Sequence, residues 1–129
     1  MENIVFTPAN ELVAHIKSRK ISVVEVVIAF LDHIKAHNPA INAVCDLRNE
    51  KDILNEALQK DEAIKLGKEV GLLHGLPLTI KDSFFVKGLV NSNGDPLLRN
   101  YVAEEDAELV KRLKDAGAII IGKTNVPLY

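Results

Sequence analysis

Residues 71–82 read Gly-Leu-Leu-His-Gly-Leu-Pro-Leu-Thr-Ile-Lys-Asp. An apolar run, Leu76 to Ile80, follows a glycine-containing turn and ends on Lys81. Such a run of apolar and β-branched residues is typical of a buried strand. We therefore predict a strand that brings Lys81 to the edge of a sheet, where open α/β sheets hold their ligand sites.

Lys81 allows two interpretations. At the boundary between the apolar interior and water, burial favours the neutral amine, which is a usable base. Alternatively, Lys81 leaves the sheet and pairs with Asp82 or projects into solvent. The spacing alone favours this second interpretation, because most lysines at strand ends are structural or solvated.

A second apolar run, Ala118 to Ile121, predicts another strand, and Gly122 is expected to turn the chain out of it. Between the runs lies a predicted helix that has acidic residues 104–106 at its start and Gly117 at its end. Its apolar stripe consists of Leu109, Val110, Leu113 and Ala116. Strand, helix and strand form a βαβ unit, whose parallel strands need cover on both faces.

Three helices are predicted ahead of this unit. Thr7-Pro8 is expected to start the first, and residues 22–25 have the capping-box spacing that opens the second. Asn38-Pro39 should stop the second helix, because the residue before proline avoids the α region. The third helix is predicted from about Lys51 to Leu66, with Gly67 after its end.

A short extended piece, Ile41 to Leu47, lies between the second and third helices, and the least regular part of the chain runs from Ser83 to Val102. The fold class is therefore α/β. It comprises N-terminal helices plus a βαβ unit of a mixed, mostly parallel sheet, in one compact unit that spans residues 1–129 and amounts to one domain at most.

Composition narrows the functional classes. Of the 129 residues, 47% are hydrophobic and 26% are charged, so the chain can bury a core. The net charge of −2 provides no basic surface for nucleic acid. No apolar run approaches a membrane span, and no signal pattern precedes Thr7. The single cysteine, Cys45, fits a reducing compartment, so we expect a cytoplasmic location, and we predict that Cys45 is a small buried hydrophobe.

Both apolar runs belong to motifs that resemble those of the amidase signature family. Its chains carry a Gly-x-Leu-His-Gly-x-Pro-x-x-x-Lys-Asp segment followed by a Gly-Lys-Thr-Asn segment. Residues 71–83 are similar to the first segment, and residues 122–129, Gly-Lys-Thr-Asn-Val-Pro-Leu-Tyr, are similar to the second. The helical pattern from Thr7 onward is similar too. The resemblance implies a partial amidase-signature fold.

The resemblance also implies a catalytic role for Lys81. In the family, the matching lysine is the base end of a serine–serine–lysine triad that hydrolyses amide bonds without a metal or organic cofactor. The two serines lie in a Gly/Ser-rich segment downstream of the second motif, and Tyr129 precedes any such segment. Ser83 and Ser92 lie outside that pattern and receive no serine role. The chain is thus expected to be the N-terminal part of an amidase, contributing only the lysine and inactive alone.

Three further residues match the motifs. Asp82 follows the lysine and either orients neighbouring backbone or is a surface carboxylate. Thr124 and Asn125 are interpreted as scaffold for the serine segment rather than as substrate contacts. Two departures leave the substrate class open: Leu128 stands where many members have an acidic residue, and residues 91–94, Asn-Ser-Asn-Gly, replace a Thr- and Ser-rich stretch.

Two alternatives remain open. The chain could be a non-catalytic association protein built from the front end of an amidase, or a piece of the A subunit of a glutamine-dependent tRNA amidotransferase. The expected partners are a small-molecule amide substrate of the complete enzyme and either a second copy or another protein that covers exposed sheet. Direct nucleic-acid and membrane contacts are not expected. His33 and His37 share helical spacing, but no third ligand is spaced for a metal site, and His74 is expected to shape its turn.

Overall fold

A computed structural model of the protein describes residues 3–128. The chain forms four α-helices, three strands and two short 3-10 turns within these residues. In order, they are a turn at Ile4–Phe6, α1 (Ala9–Lys17), α2 (Val23–Ile41), β1 (Val44–Leu47), α3 (Glu50–Lys65), β2 (Pro77–Lys81), a turn at Pro96–Leu98, α4 (Glu108–Asp115) and β3 (Ile119–Thr124).

The three strands form a mixed sheet in the order β1-β3-β2. β2 and β3 are parallel, and α4 is the helix of the connection between them, so the predicted βαβ unit is confirmed. β1 pairs with the other edge of β3 in the antiparallel direction. The last strand of the described chain therefore occupies the centre of the sheet.

Apolar clusters cover both faces of the sheet, as the parallel strands require. On one face, Ile119 and Ile121 pack in a cluster with apolar residues of α1, α2 and α3. On the other face, Ile80 and Ile120 pack with Val110 of α4 and with residues of the long loop after β2. The sheet is thus held between the N-terminal helices and α4, and its strand ends are fixed by both layers.

The second helix begins close to the predicted residue, and the third helix both begins and ends close to the predicted residues. Ser22 accepts a hydrogen bond from the Glu25 N–H, and the Glu25 carboxylate accepts one from the Ser22 N–H, which confirms the capping box. α2 is also held by α3, because the Asp61 carboxylate accepts hydrogen bonds from the N–H groups of Val23 and Val24. Gly67, at a φ of 69°, follows the end of α3 as predicted.

The prediction that Asn38-Pro39 stops α2 is wrong, since the helix continues through Pro39 to Ile41. The Asn38 side chain hydrogen-bonds both the N–H and the carbonyl of Val44, at 2.8 Å each, and so keeps its residue in the helix despite the proline. The helix ends instead at Asn42, which adopts the left-handed conformation at a φ of 47°.

Two predicted helix starts are also displaced. α1 begins at Ala9, with Pro8 just outside it and no side-chain cap. α4 begins only at Glu108, after Ala107, so the acidic residues 104–106 precede the helix instead of forming its first turn. The Asp106 carboxylate accepts hydrogen bonds from the Lys87 N–H and from the Lys114 ammonium group. Its negative charge is therefore stabilised by tertiary contacts and not by the first turn of a helix.

Gly122 does not turn the chain out of β3, as predicted, but lies within the strand, which extends to Thr124. A side chain at this position would meet the Asp46 carbonyl oxygen at 2.7 Å and a Val44 methyl group at 3.1 Å. Glycine is therefore needed because β1 approaches the backbone of β3 closely here.

Candidate active site

Lys81 ends β2, and its side chain is exposed. The residue is paired in register with Thr124 at the end of β3. The structure thus agrees with the prediction that the strand delivers Lys81 to the sheet edge. Of the two interpretations of Lys81, its exposure agrees with the second, in which the side chain projects into solvent.

The two motifs meet at these adjacent strand ends. The Asp82 N–H donates to the Thr124 carbonyl oxygen across 3.0 Å. The Asn125 N–H donates to the Ala43 carbonyl at 3.0 Å, and the Asn125 side-chain oxygen accepts from the Val126 N–H at 2.9 Å. The Asn125 side chain thus contacts the adjacent backbone, and its main chain is joined to the residue before β1. The structure therefore brings all four sequence-predicted site residues to one end of the sheet.

Asp82 is not a surface carboxylate, because the residue is only 4% exposed. Its carboxylate accepts a hydrogen bond from the Ser92 N–H at 3.1 Å and a short one from the Ser92 hydroxyl. Ser92 in turn accepts from the Gly94 N–H. Asp82 thus orients the backbone of the loop after β2, which was the first of its two predicted interpretations.

Lys123, which the sequence reasoning did not single out, is the lysine that the structure buries completely. Its ammonium group lies 3.0 Å from both the Val90 carbonyl oxygen and the Asn91 side-chain oxygen, and 3.5 Å from the Asp82 carboxylate. Burial lowers the pKa of Lys123 from its ordinary value, and the nearby Asp82 carboxylate opposes this shift.

A sequence signal for Lys123 was present in the second motif. The residue directly follows the run Ala118 to Gly122, which the structure shows to be part of the central strand. A lysine at the end of a strand covered on both faces needs buried acceptors, and the long loop after β2 supplies them from Val90 and Asn91. The predicted strand ends at Ile121, before Lys123, and therefore does not include Lys123, which the observed strand contains.

Other candidate groups have structural contacts. His74 is buried in its turn, and its Nε2 lies 2.9 Å from the Lys60 carbonyl oxygen. The rings of His33 and His37 lie with their centroids 4.4 Å apart and their planes tilted by 49°. Across residues 3–128, no three His, Cys, Asp or Glu side chains cluster in a way that could hold a metal ion.

The prediction that Cys45 is buried is wrong, since the residue is exposed. Cys45 lies on the outer strand β1, and only the β3 side of that strand is paired within the described sheet. Its thiol contacts the Lys123 carbonyl oxygen at 3.5 Å. Of the helices in the described chain, none has the length and apolar composition of a membrane span.

Comparison with known proteins decides the family. Residues 25–128 match the family described as Amidase, a range that includes both motifs. The chain belongs to the amidase family. An indoleacetamide hydrolase from Bradyrhizobium diazoefficiens is 47% identical over 122 residues, which cover 94% of this chain and 23% of the relative. The A subunit of a glutamyl-tRNA(Gln) amidotransferase from Endomicrobium trichonymphae is 37% identical over 126 residues, covering 98% of this chain and 26% of that relative.

Solved structures of amidases have the same arrangement of elements. A bacterial aryl acylamidase of the amidase signature family superimposes with a TM-score of 0.88 at 26% identity, covering 96% of this chain and 26% of that enzyme. The peptide amidase from Stenotrophomonas maltophilia superimposes with a TM-score of 0.84 at 35% identity, covering 93% and 25%. The α/β fold class is confirmed, and the chain spans about a quarter of the length of these relatives.

Proposed function

We propose that this chain is the N-terminal, lysine-bearing part of an amidase that hydrolyses carbon–nitrogen bonds by a serine–serine–lysine mechanism. The observation that supports this most directly is the placement of Lys81. It ends β2 beside Thr124, at the strand ends where the two motifs meet, and its side chain is open to solvent. Groups that other parts of the enzyme supply can therefore reach the Lys81 side chain at this end of the sheet.

The proposed chemistry gives Lys81 the role of terminal base. A nucleophilic serine attacks the amide carbon while its proton passes to a bridging serine, whose own proton passes to the neutral Lys81 amine. The proton returns to the departing amine, and water then hydrolyses the acyl-serine ester. We propose that both serines come from outside these 129 residues, because Ser83 and Ser92 lie outside the Gly/Ser-rich pattern and the Ser92 hydroxyl is held by Asp82. We therefore propose that the chain alone is inactive.

A chimeric enzyme tests this assignment. Residues 3–128 replace the matched segment of the Bradyrhizobium indoleacetamide hydrolase, and release of ammonia from indoleacetamide is measured. We expect the chimera to be active and the 129-residue chain to be inactive. Lys81→Met should lower kcat by about 10²–10⁴-fold, because the base is lost. The control is Lys111→Met, which removes an exposed lysine from α4. A fully active Lys81→Met chimera, or an active isolated chain, contradicts the proposal.

A second candidate is the amidotransferase branch, supported by the 37% identity to the A subunit of a glutamyl-tRNA(Gln) amidotransferase. In that case the complete protein would act with partner subunits on a tRNA-linked substrate. The two candidates differ in their need for partners. A longer protein that hydrolyses simple amides by itself supports the hydrolase, whereas activity that requires added subunits supports the amidotransferase.

The association alternative is supported by apolar side chains on the described surface. Leu97 is 91% exposed and Leu72 is 81% exposed, and β1 and β2 each have an outer edge without a strand partner in the described sheet. A second copy or a partner protein would cover them. Sedimentation of the purified chain tests this alternative, and a defined oligomer without amidase activity supports it. A reading frame that continues into a Gly/Ser-rich stretch supports the enzyme instead. The single cysteine favours the cytoplasm for either protein.

A further inference from the structure

Lys123 is a buried charged group that the proposed reaction does not use. Its side chain is fully buried, and three oxygen atoms surround its ammonium group: the Val90 carbonyl, the Asn91 side-chain oxygen and the Asp82 carboxylate. An ammonium group has three protons to donate, so these acceptors can satisfy all of them. The arrangement is a complete site for one lysine and not a chance contact.

The Lys123 cluster, which we define as Asp82, Val90, Asn91, Ser92 and Lys123, joins three parts of the chain. Lys123 belongs to the central strand β3, Asp82 directly follows β2, and Val90 to Ser92 belong to the long loop. Within the cluster, Ser92 donates to Asp82 through both its N–H and its hydroxyl group. The cluster therefore fixes the loop against the ends of two parallel strands.

Such a buried ion pair gives little net stability in general. Removing both charges from water costs about as much as their attraction returns, and apolar side chains of similar volume often stabilise equally well. The main effect of the cluster is to fix the position of the backbone and side chain of Asp82. The main chain of Asp82 is held by the Thr124 carbonyl, and its side chain is held by Lys123 and Ser92. Because Lys81 is one peptide bond away, the same contacts fix its backbone.

We infer that Lys123 is a positioning residue for Lys81: through Asp82 and the loop at Val90 to Ser92, it sets where the amine of Lys81 stands at the edge of the sheet. This inference rests on the proposed function of Lys81 and extends it. Lys123 itself touches no reacting atom. Its effect should appear in the order of residues 82–92 and in kcat, because misplacing a catalytic group by about 1 Å can cost about 10²-fold.

The first test uses hydrogen exchange and needs no activity. Lys123→Met keeps a long side chain but removes the ammonium group, and Lys111→Met is again the control. In the 129-residue chain and in the chimera, amide exchange over residues 82–92 should accelerate about 10-fold or more in Lys123→Met, with less than about 2-fold change over residues 23–31 of α2. Unchanged exchange over residues 82–92 overturns the inference.

The second test separates positioning from neutralisation of charge. In the chimera, Lys123→Met should lower kcat about 10- to 100-fold and change KM less than about 2-fold. The double variant Lys123→Met/Asp82→Asn removes the carboxylate that the single variant leaves buried and uncompensated. We expect it to regain folding stability but not kcat. If kcat returns with stability, Lys123 serves only to neutralise Asp82, and the inference is overturned.

A milder variant covers the case in which Lys123→Met does not fold. Ser92→Ala removes one donor from Asp82 without exposing a new buried charge, and should lower kcat by about 3-fold while exchange at residue 82 accelerates. No change in either quantity overturns the inference. Failure of the proposed function can be distinguished from failure of this inference. An active Lys81→Met chimera contradicts the proposed function but does not change the result of the hydrogen-exchange test. An inactive Lys81→Met chimera with a fully active Lys123→Met variant overturns the positioning role alone.

Discussion

The N–H of Asp82 donates to the carbonyl oxygen of Thr124 across 3.0 Å. This hydrogen bond continues the parallel pairing of β2 and β3 beyond the last residue of β2. It joins the residue after Lys81 to the last residue of β3, so two motifs about 40 residues apart in sequence share one local geometry. A substitution that shifts the backbone of one motif should therefore also shift the backbone of the other.

The first prediction concerns Asn125, whose side chain contacts the adjacent backbone. Asn125→Ala removes the acceptor for the Val126 N–H in an exposed segment after β3, so we expect a loss of about 0.5–1 kcal/mol in the free energy of unfolding. The scaffold interpretation of Asn125 predicts that KM of the chimera stays unchanged. Urea unfolding and steady-state kinetics measure both quantities. A several-fold rise in KM with unchanged stability contradicts the scaffold role and indicates substrate contact.

The second prediction concerns Asp61, which fastens α3 to the start of α2. Its carboxylate accepts from the Val23 N–H at 2.7 Å and from the Val24 N–H at 3.1 Å, where the helix dipole favours negative charge. Asp61→Ala should lower the free energy of unfolding by about 1–3 kcal/mol in urea titrations. Glu62→Ala, at the exposed neighbouring position, is the control and should change it by less than about 0.5 kcal/mol. Equal effects of the two variants contradict the prediction.

The third prediction compares two glycines that both have positive φ. A Cβ on Gly117 would lie 2.7 Å from the Cα of His74, whereas a Cβ on Gly67 would meet nothing within 4 Å. Gly67→Ala should cost about 1–2 kcal/mol from backbone strain alone. Gly117→Ala should cost about 1–3 kcal/mol more, because the turn at His74 must also shift. Thermal and urea unfolding measure the difference, and equal losses contradict the proposed close approach.

The fourth prediction is a pH dependence at Asp106. Partial burial by itself would raise the pKa of Asp106, but the hydrogen bonds from Lys114 and the Lys87 N–H outweigh it and hold the pKa below its ordinary value. A lowered pKa in the folded state stabilises the protein above the unfolded pKa, and this contribution is lost as the pH falls through the folded pKa. Acid should therefore weaken the hydrogen bonds by which Asp106 joins Lys87 of the loop to Lys114 of α4.

Urea unfolding between about pH 5 and pH 2 tests this sign. Asp106→Asn should reduce stability at pH 5 by roughly 0.5–1 kcal/mol and should flatten the fall in stability toward acid. The control is Glu108→Gln, which breaks an ion pair with Arg112 whose side chains are 70% and 79% exposed. That variant should behave like the unmodified chain. A steeper acid dependence in Asp106→Asn would show that the sign is wrong.

Local sequence signals predicted the elements that local chemistry controls. The capping box at Ser22, the glycine after α3 and the βαβ unit around α4 were all predictable, because each depends on neighbouring residues or on hydrophobic periodicity. Asn38-Pro39 was misleading because a contact to Val44, six residues beyond Asn38, overrides the preference of the residue before proline.

The site was predictable in part for the same reason. The motifs identified Lys81, Asp82, Thr124 and Asn125, and the parallel pairing of the strands brought them together. The buried contacts of Lys123 were not predictable from local pattern, because its acceptors lie some 30 to 40 residues away in the sequence. Exposure of Lys81 likewise depends on what surrounds the end of β2, which a strand pattern does not specify.

The position of β3 in the sheet has a consequence for biosynthesis. β1 and β2 pair with β3 and not with each other, yet β3 is the last strand of the described chain to leave the ribosome. Until residues 119–124 emerge, the nascent chain can form its helices but not the described sheet, because β1 and β2 pair only with β3 in it. During that time the segments of β1 and β2 stay unpaired and are prone to aggregation. Ribosome-stalled chains ending before and after this strand should differ sharply in protease resistance.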